Sequence, residues 1–466
     1  MHRMNGFDAL FIYDESPNEP QHTIKVAMLG RGSPSFDSVK QAVRARLAQL
    51  PALRWKALRV PFDLHHPVWV EAARLDLDHH VRRLGIPAPG GRRELCEVIS
   101  EIASVPLDPR RPLWELWLLE GYEGAKLVAV AKISHALADG ESTRELLERA
   151  LSDDAAPSDR HLAARFAPAT AMPAPGNGRL VADALRDLAR DAFVELPRLL
   201  RALRHARRRR RREGPAQRPP NPFRAPRHAF GGPLSRRRIF CFTTVGLADA
   251  RRVKAAFGAT ITDVVLATVA GAARRYLAEH AGLPADPILG SIAASTRTEA
   301  QRGTFGNRLT QRFLRLPTHV ADPVERLLAA REQAAIAKRD IASLSGTQLE
   351  QWIAALPPFL VKRLGPMMRL VARLTGVSGG VMVTSVAGPR KPLHAGPMPV
   401  ENFISVGHMK YVAGLNVTVW SYADNLNFAI YACREAVPDA WRIADAIDES
   451  FAELAKAADA GRARAA

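Results

Sequence analysis

The apolar positions of this chain follow two rhythms. Short runs of strand length stand at 24–29 and 126–133, whereas 35–47 and 93–104 repeat apolar residues every three or four positions, as a helix with one buried face does. Residues 153–178 interrupt this alternation with Pro157, Pro168, Pro173 and Pro175 and mark a boundary. Beyond it, Val181, Leu185, Leu188, Ala192, Leu196, Leu199 and Leu203 recur at helical spacing, with Pro197 predicted to kink that helix near its end. A second block starts near Arg236. It predicts strands at 239–244, 380–386 and 400–406, a hairpin pair at 415–422 and 426–431, and helices at 263–277 and 441–455. In 356–374, Phe359, Leu360, Leu364, Met367, Met368, Leu370, Val371 and Leu374 alternate with Lys362, Arg363, Arg369 and Arg373. That pattern predicts a helical hairpin broken at Gly365-Pro366, apolar on one side and cationic on the other. An ordinary core helix pair with a charged face fits it equally. The chain reads as two mixed α/β halves joined by a linker: 1–155, 156–235 and 236–466.

Composition narrows the class. A chain of 466 residues exceeds the ~250–300 at which one core stops growing, so more than one domain is expected. Apolar residues at 47% and charged residues at 24% exclude a disordered or fibrous chain. No apolar run reaches the roughly 18 residues of a spanning helix, and the first residues lack the apolar core of a signal peptide. The expectation is a cytoplasmic protein. Cys96, Cys241 and Cys433 stand far apart, in no disulfide or zinc spacing.

The net charge of +19 is local. Between Arg201 and Arg238 there are 14 arginines and one acid, Glu213, which leaves only +6 for the rest of the chain. Such a tract suits a solvated linker, or a patch for anionic surfaces, better than a nucleic-acid-binding domain.

One segment carries candidate chemistry. In Lys132-Ile133-Ser134-His135-Ala136-Leu137-Ala138-Asp139-Gly140, the histidine stands where an apolar run ends and a loop begins, a place from which a side chain can face a cleft. An imidazole there can take a hydroxyl proton near neutral pH. Asp139 can turn back to bond its own loop, and Gly140 permits a sharp entry into a helix at 141–151. Taken alone, the pattern suits a structural histidine nearly as well.

Longer stretches resemble the bacterial wax ester synthase/diacylglycerol acyltransferase family of the CoA-dependent acyltransferases. The family's motif is HHxxxDG; this chain has Ser134 in place of the first histidine and His135 in place of the second. Asp8-Ala9-Leu10-Phe11 resembles the family's opening helix, and Pro112-Leu113-Trp114 its PLW motif. Thr262-Asp263-Val264-Val265-Leu266-Ala267 is similar to NDVVLA, with Thr262 where asparagine is usual. Gly306-Asn307-Arg308 fits GNR, and Thr384-Ser385-Val386-Ala387-Gly388-Pro389 is a loosened SNVPGP. The likeness spans roughly residues 5–455.

The resemblance implies two chloramphenicol-acetyltransferase-like α/β domains with the active site between them. It implies His135 as general base, Asp139 and Gly140 as its structural support, and acyl-CoA as a substrate rather than a cofactor. The acceptor would be the hydroxyl of a diacylglycerol or of a long-chain alcohol. Ser134, Asn307, Thr262 and Asp263 are the candidate oxyanion or substrate contacts. For Asn307 a turn beside Gly306 competes with that role, and Asp263 at a helix start is favoured by the dipole whatever the chemistry. No metal is expected: His65-His66 and His79-His80 have no carboxylate or cysteine at ligand spacing. Trp114 and Trp117 read most simply as packing. The implied partners are the two substrates and, peripherally, an anionic membrane or lipid-droplet surface, with no nucleic acid. Two alternatives stay open: the same fold acylating a non-lipid alcohol or amine, and a non-catalytic lipid-surface protein that keeps the scaffold.

Overall fold

The computed structural model describes residues 2–465, except 33, 48–49, 124–125, 139, 152–174, 196, 199, 202–203, 205–219, 222–224, 296–306, 308, 344–352, 354–355, 376–378, 390 and 412. Fifteen strands are described. In the first half they are β1 (His2–Arg3), β2 (His22–Arg31), β3 (Trp55–Leu58), β4 (Val68–Glu71), β5 (Val81–Gly85), β6 (Trp114–Tyr122) and β7 (Lys126–Ser134). The second half supplies β8 (Arg238–Gly246), β9 (Ile288–Ser295), β10 (Leu309–Leu316) and β11 (Val381–Val386). After these come β12 (His394–Ala395), β13 (Met398–Val406), β14 (Leu415–Tyr422) and β15 (Asn425–Cys433).

They form two six-stranded sheets, ordered β12-β13-β2-β7-β6-β5 and β10-β9-β11-β14-β15-β8, beside a small β1-β4-β3 sheet. The expected α/β class is what the chain adopts. Sheet membership does not follow the division at 155 and 236, because β13 pairs antiparallel with β2 and so extends the first sheet. β7 lies inside that sheet, between β2 and β6. Its Val128 and Val130, two apart and so on one face, are fully buried, while Ala129 and Ala131 on the other face are half-buried.

Two devices lock the sheets together. Asn427 of β15 donates through Nδ2 to Asn402 Oδ1 (2.7 Å) and to the Phe403 carbonyl (2.9 Å) of β13. On the far edge, the helix Arg92–Ser104 offers its Ser100 and Ser104 hydroxyl oxygens to the N–H groups of Phe240 (2.8 Å) and Arg238 (3.1 Å). This occupies donors of β8 that an edge strand would leave open.

Most predicted elements form, with two corrections. The helix Pro358–Thr375 is continuous, with Pro366 inside it, so there is no hairpin at that point. A proline clashes with the Cβ of the residue before it, and here that residue is Gly365, which has none. The helix also divides differently from the expectation. Val361, Gly365 and Ala372 face inward, toward the helix Gly6–Asp14, while Phe359, Met367, Leu370 and Leu374 are exposed among Arg363 and Arg373. In the amphipathic segment, the helix Asn177–Arg190 buries Leu180 against Val68 and Val70 and also buries Ala184, while Leu185 is exposed. A π-helical turn, Asp191–Glu195, follows before Pro197. The arginine run at 207–212 lies outside the described residues.

Candidate active site

His135 follows the last residue of β7, and its backbone N–H continues the ladder one rung by donating to the Gln21 carbonyl at 2.9 Å. Ser134, the final strand residue, turns its hydroxyl oxygen back to accept from the Ala136 N–H (3.3 Å), and its carbonyl accepts from Leu137 (3.1 Å). Ser134 therefore shapes the turn that presents the imidazole. Gly140 opens the helix Gly140–Ala150. Asp139 lies outside the described residues.

The imidazole is buried among three chain segments. Phe11, from the helix Gly6–Asp14, stacks on it with centroids 4.6 Å apart and planes at 13°. His408, two residues beyond β13, meets it edge to face at 4.5 Å and 74°. Asn307, two residues before β10, reaches its Nδ1 through Oδ1 at 2.7 Å.

The Asn307 amide has one possible orientation. Its Nδ2 donates to Asp8 Oδ1 (2.7 Å) and to the His135 carbonyl (2.6 Å), both of them acceptors only. Oδ1 is thereby turned to His135 and must accept, so the imidazole carries its proton on Nδ1 and its lone pair on Nε2. Asp8 is held in turn: its Oδ1 also takes the Asn307 backbone N–H (2.9 Å), and its Oδ2 takes Asn5 Nδ2 (2.8 Å). This corrects the expectation of Asn307 as an oxyanion donor. Both of its side-chain N–H groups are already engaged, and it acts on the histidine instead.

The other expected contacts separate from this cluster. Asp263 closes a capping box at the start of the helix Ile261–His280, its carboxylate accepting from the Thr260 N–H at 2.8 Å. Thr262 stands beside it in the first turn, and neither bonds to the His135 cluster among the described residues. The paired histidines have protein partners: His65 Nε2 with Asp191 Oδ2 (3.1 Å), His66 Nδ1 with the Tyr13 hydroxyl (3.1 Å), and His80 Nδ1 with the Trp114 carbonyl (2.7 Å). No group of three potential metal ligands occurs among the described residues.

Burial sets the protonation of several groups near the site. Burial, reinforced by the charges of His135, Lys410 and His22, holds the His408 imidazole well below its ordinary range and therefore neutral. Burial also pushes the carboxyl of Glu15 up to about 8, against the Gln21 N–H that it accepts. The thiols of Cys96 and Cys241 are pushed up by burial and stay protonated.

Asp8, Phe11 and His408 are the site residues that sequence reasoning missed. Asp8 and Phe11 lie in a stretch recognised only as an opening helix, where an acid in the first turn reads as a dipole partner. His408 belongs to no motif.

Two six-stranded sheets thus meet around a strand-end histidine in an α/β architecture. The chain belongs to the wax ester synthase/diacylglycerol acyltransferase family: it matches that family's catalytic domain over residues 4–265 and its C-terminal domain over residues 305–455. A Mycobacterium tuberculosis protein assigned by inference as a diacylglycerol O-acyltransferase is 34% identical over 471 residues, 99% of this chain and 98% of its own. The wax ester synthase/diacylglycerol acyltransferase from Marinobacter aquaeolei VT8 superposes with a TM-score of 0.67 at 26% identity, covering 98% of this chain and all of that one (100%). The first condensation domain of the calcium-dependent antibiotic synthetase shares the fold at 16% identity, with a TM-score of 0.58 over 98% of this chain and 96% of that one. Family and relatives together make the protein an acyltransferase.

Proposed function

We propose that this acyltransferase moves a fatty acyl group from acyl-CoA to the hydroxyl of a diacylglycerol or a long-chain alcohol, with His135 as general base. The observation that carries the reading is the tautomer set by Asn307: an Nδ1–H held at 2.7 Å places the imidazole lone pair on Nε2, the atom that would take the proton. The hydroxyl proton passes to His135 Nε2 as its oxygen attacks the thioester carbonyl carbon. The C=O electron pair moves onto oxygen; on collapse the C–S bond breaks, and the CoA thiolate takes the proton back from the imidazolium. The step needs no acyl-enzyme, and the protonated, buried thiols of Cys96 and Cys241 support direct transfer. Asp139 and Gly140 keep their proposed part as structural support for the histidine loop.

Contact with a lipid surface belongs to the same proposal, because the acceptors partition into membranes. Its support is the outward stripe of the helix Pro358–Thr375, with Leu374 75% exposed, together with Phe62 (91%) and Phe193 (82%). The helix carries four cations and no acid, and Lys362 pairs with Asp63, beside Phe62. The arginines at 207–212 would add about 1 kcal/mol each near an anionic bilayer. The protein is thus proposed to work peripherally at the inner face of the membrane or at lipid droplets.

The test incubates purified protein with palmitoyl-CoA and dioleoylglycerol, hexadecanol or a short soluble alcohol, following free thiol and lipid product. His135→Ala is expected to lower turnover by roughly 10²–10⁴ with the fold intact. Near-normal turnover in that variant removes the mechanism. Product from an amine or a non-lipid alcohol alone would transfer the reading to that acceptor.

A further inference from the structure

With Asn307 fully engaged, the side chain that would stabilise the tetrahedral oxyanion has to come from elsewhere. The segment 407–411 is built to hold one side chain in place. The Gly407 N–H donates to Thr418 Oγ1 at 3.1 Å, and the His408 carbonyl accepts from Asn416 Nδ2 at 2.7 Å. Thr418 Oγ1 then donates to Asn416 Oδ1 at 2.9 Å, so the two β14 side chains fix each other. On the other side, Lys410 Nζ pairs with the buried Asp14 at 3.3 Å, and the Tyr411 hydroxyl donates to the same carboxylate at 3.2 Å. The backbone around residue 408 is therefore clamped from β14 and from the opening helix alike.

His408 is the side chain so presented. It packs against both His135 and Phe11, the latter at 5.1 Å and 86°. No hydrogen bond from the described residues reaches its ring nitrogens. The residue itself is buried, with 8% of its surface exposed. A buried imidazole that no hydrogen bond from the described residues engages, clamped beside the base, is arranged to bond a substrate atom brought to His135.

Resting on the acyl-transfer reading above, we infer that His408 is a second catalytic residue, whose ring N–H donates to the oxyanion that forms as the hydroxyl attacks the thioester. A neutral imidazole suits this work, since it gives a directed N–H, and the burial that keeps it neutral also makes it a weaker base than an ordinary histidine. Burial keeps His408 in that form.

Three variants of the full-length protein test this, assayed as thiol release from palmitoyl-CoA with hexadecanol, with melting temperature as the control for folding. His408→Ala is expected to lower kcat by about 10²–10³ and leave KM for palmitoyl-CoA nearly unchanged, as removal of an oxyanion donor does. His408→Phe keeps the ring contacts with His135 and Phe11 but has no N–H, and is expected to be as slow as His408→Ala. His408→Gln keeps a donor and is expected to recover about tenfold over His408→Ala. Wild-type kcat in His408→Phe would reduce the residue to packing and overturn the inference alone. Wild-type protein that releases no thiol with any acceptor would overturn the acyl-transfer reading together with it.

Discussion

Two regions of the molecule treat their side chains in opposite ways. Around His135 the Asn307 amide and the Asp8 carboxylate are all occupied by designated partners, and aromatic rings cover the imidazole. On the helix Pro358–Thr375, the residues a core would welcome, Leu370 and Leu374, are turned to the outside. The first arrangement suits a low-dielectric site, where an unpaired polar group costs more than a hydrogen bond returns, so orientation becomes exact to a single tautomer. The second gives up hydrophobic stabilisation within the fold. An apolar stripe ringed by cations gains free energy only when something apolar and anionic covers it. In the function proposed above, chemistry is specified by polar saturation and location by apolar surplus.

The largest effect is expected from Asn307→Ala, which breaks the first region. It removes the acceptor that sets the tautomer and one of the donors to Asp8 Oδ1. Turnover should fall by about 10² or more, with ~1–3 kcal/mol lost from the unfolding free energy. Steady-state thiol release and urea denaturation read the two losses separately. An enzyme with full turnover would show that the amide is only a brace.

The second region is tested by the pair Leu370→Ser and Leu374→Ser. Partitioning to anionic vesicles should weaken about tenfold or more, since burying one leucine is worth ~1.5–3 kcal/mol. Melting temperature and turnover on a soluble alcohol should not change. Co-sedimentation of the variant equal to wild type would leave the stripe without a lipid role.

The inner side of the same helix should answer in the opposite way. A Cβ on Gly365 would overlap the Asp14 carboxylate, so Gly365→Ala should cost ~1–3 kcal/mol of stability. Chemical denaturation measures that loss, and vesicle binding per folded molecule should hold.

The smallest effect concerns pH. Glu15 lies beneath the first region: its carboxylate accepts from the Gln21 N–H, and the Gln21 carbonyl takes the His135 N–H. With its carboxyl pushed up to about 8, the folded protein binds a proton that the unfolded chain releases. Stability should fall as pH rises from the ordinary carboxylate range through about 8. Glu15→Gln should flatten that fall, and melting temperatures across this range, wild type beside variant, show whether it does.

Much of this protein was legible locally. The β7 run and the helices Arg92–Ser104 and Ile261–His280 follow from side-chain periods that report a residue's own backbone, and the strand-end position of His135 follows with them. Even the apolar-cationic alternation of 358–375 was visible, though not which side faces out. That depended on Gly365 fitting against Asp14, a contact between segments far apart in the chain. The same limit hid the site. Asn307 and His135 are 172 residues apart and Asn307 and Asp8 are 299 apart, and no local period encodes a hydrogen bond across such distances. Sequence determined which residues are candidates for the chemistry; the meeting of the two sheets decided which of them come together. There a carboxylate, an amide and two imidazoles are withdrawn from water together, and in that low-dielectric setting the amide is held in one orientation.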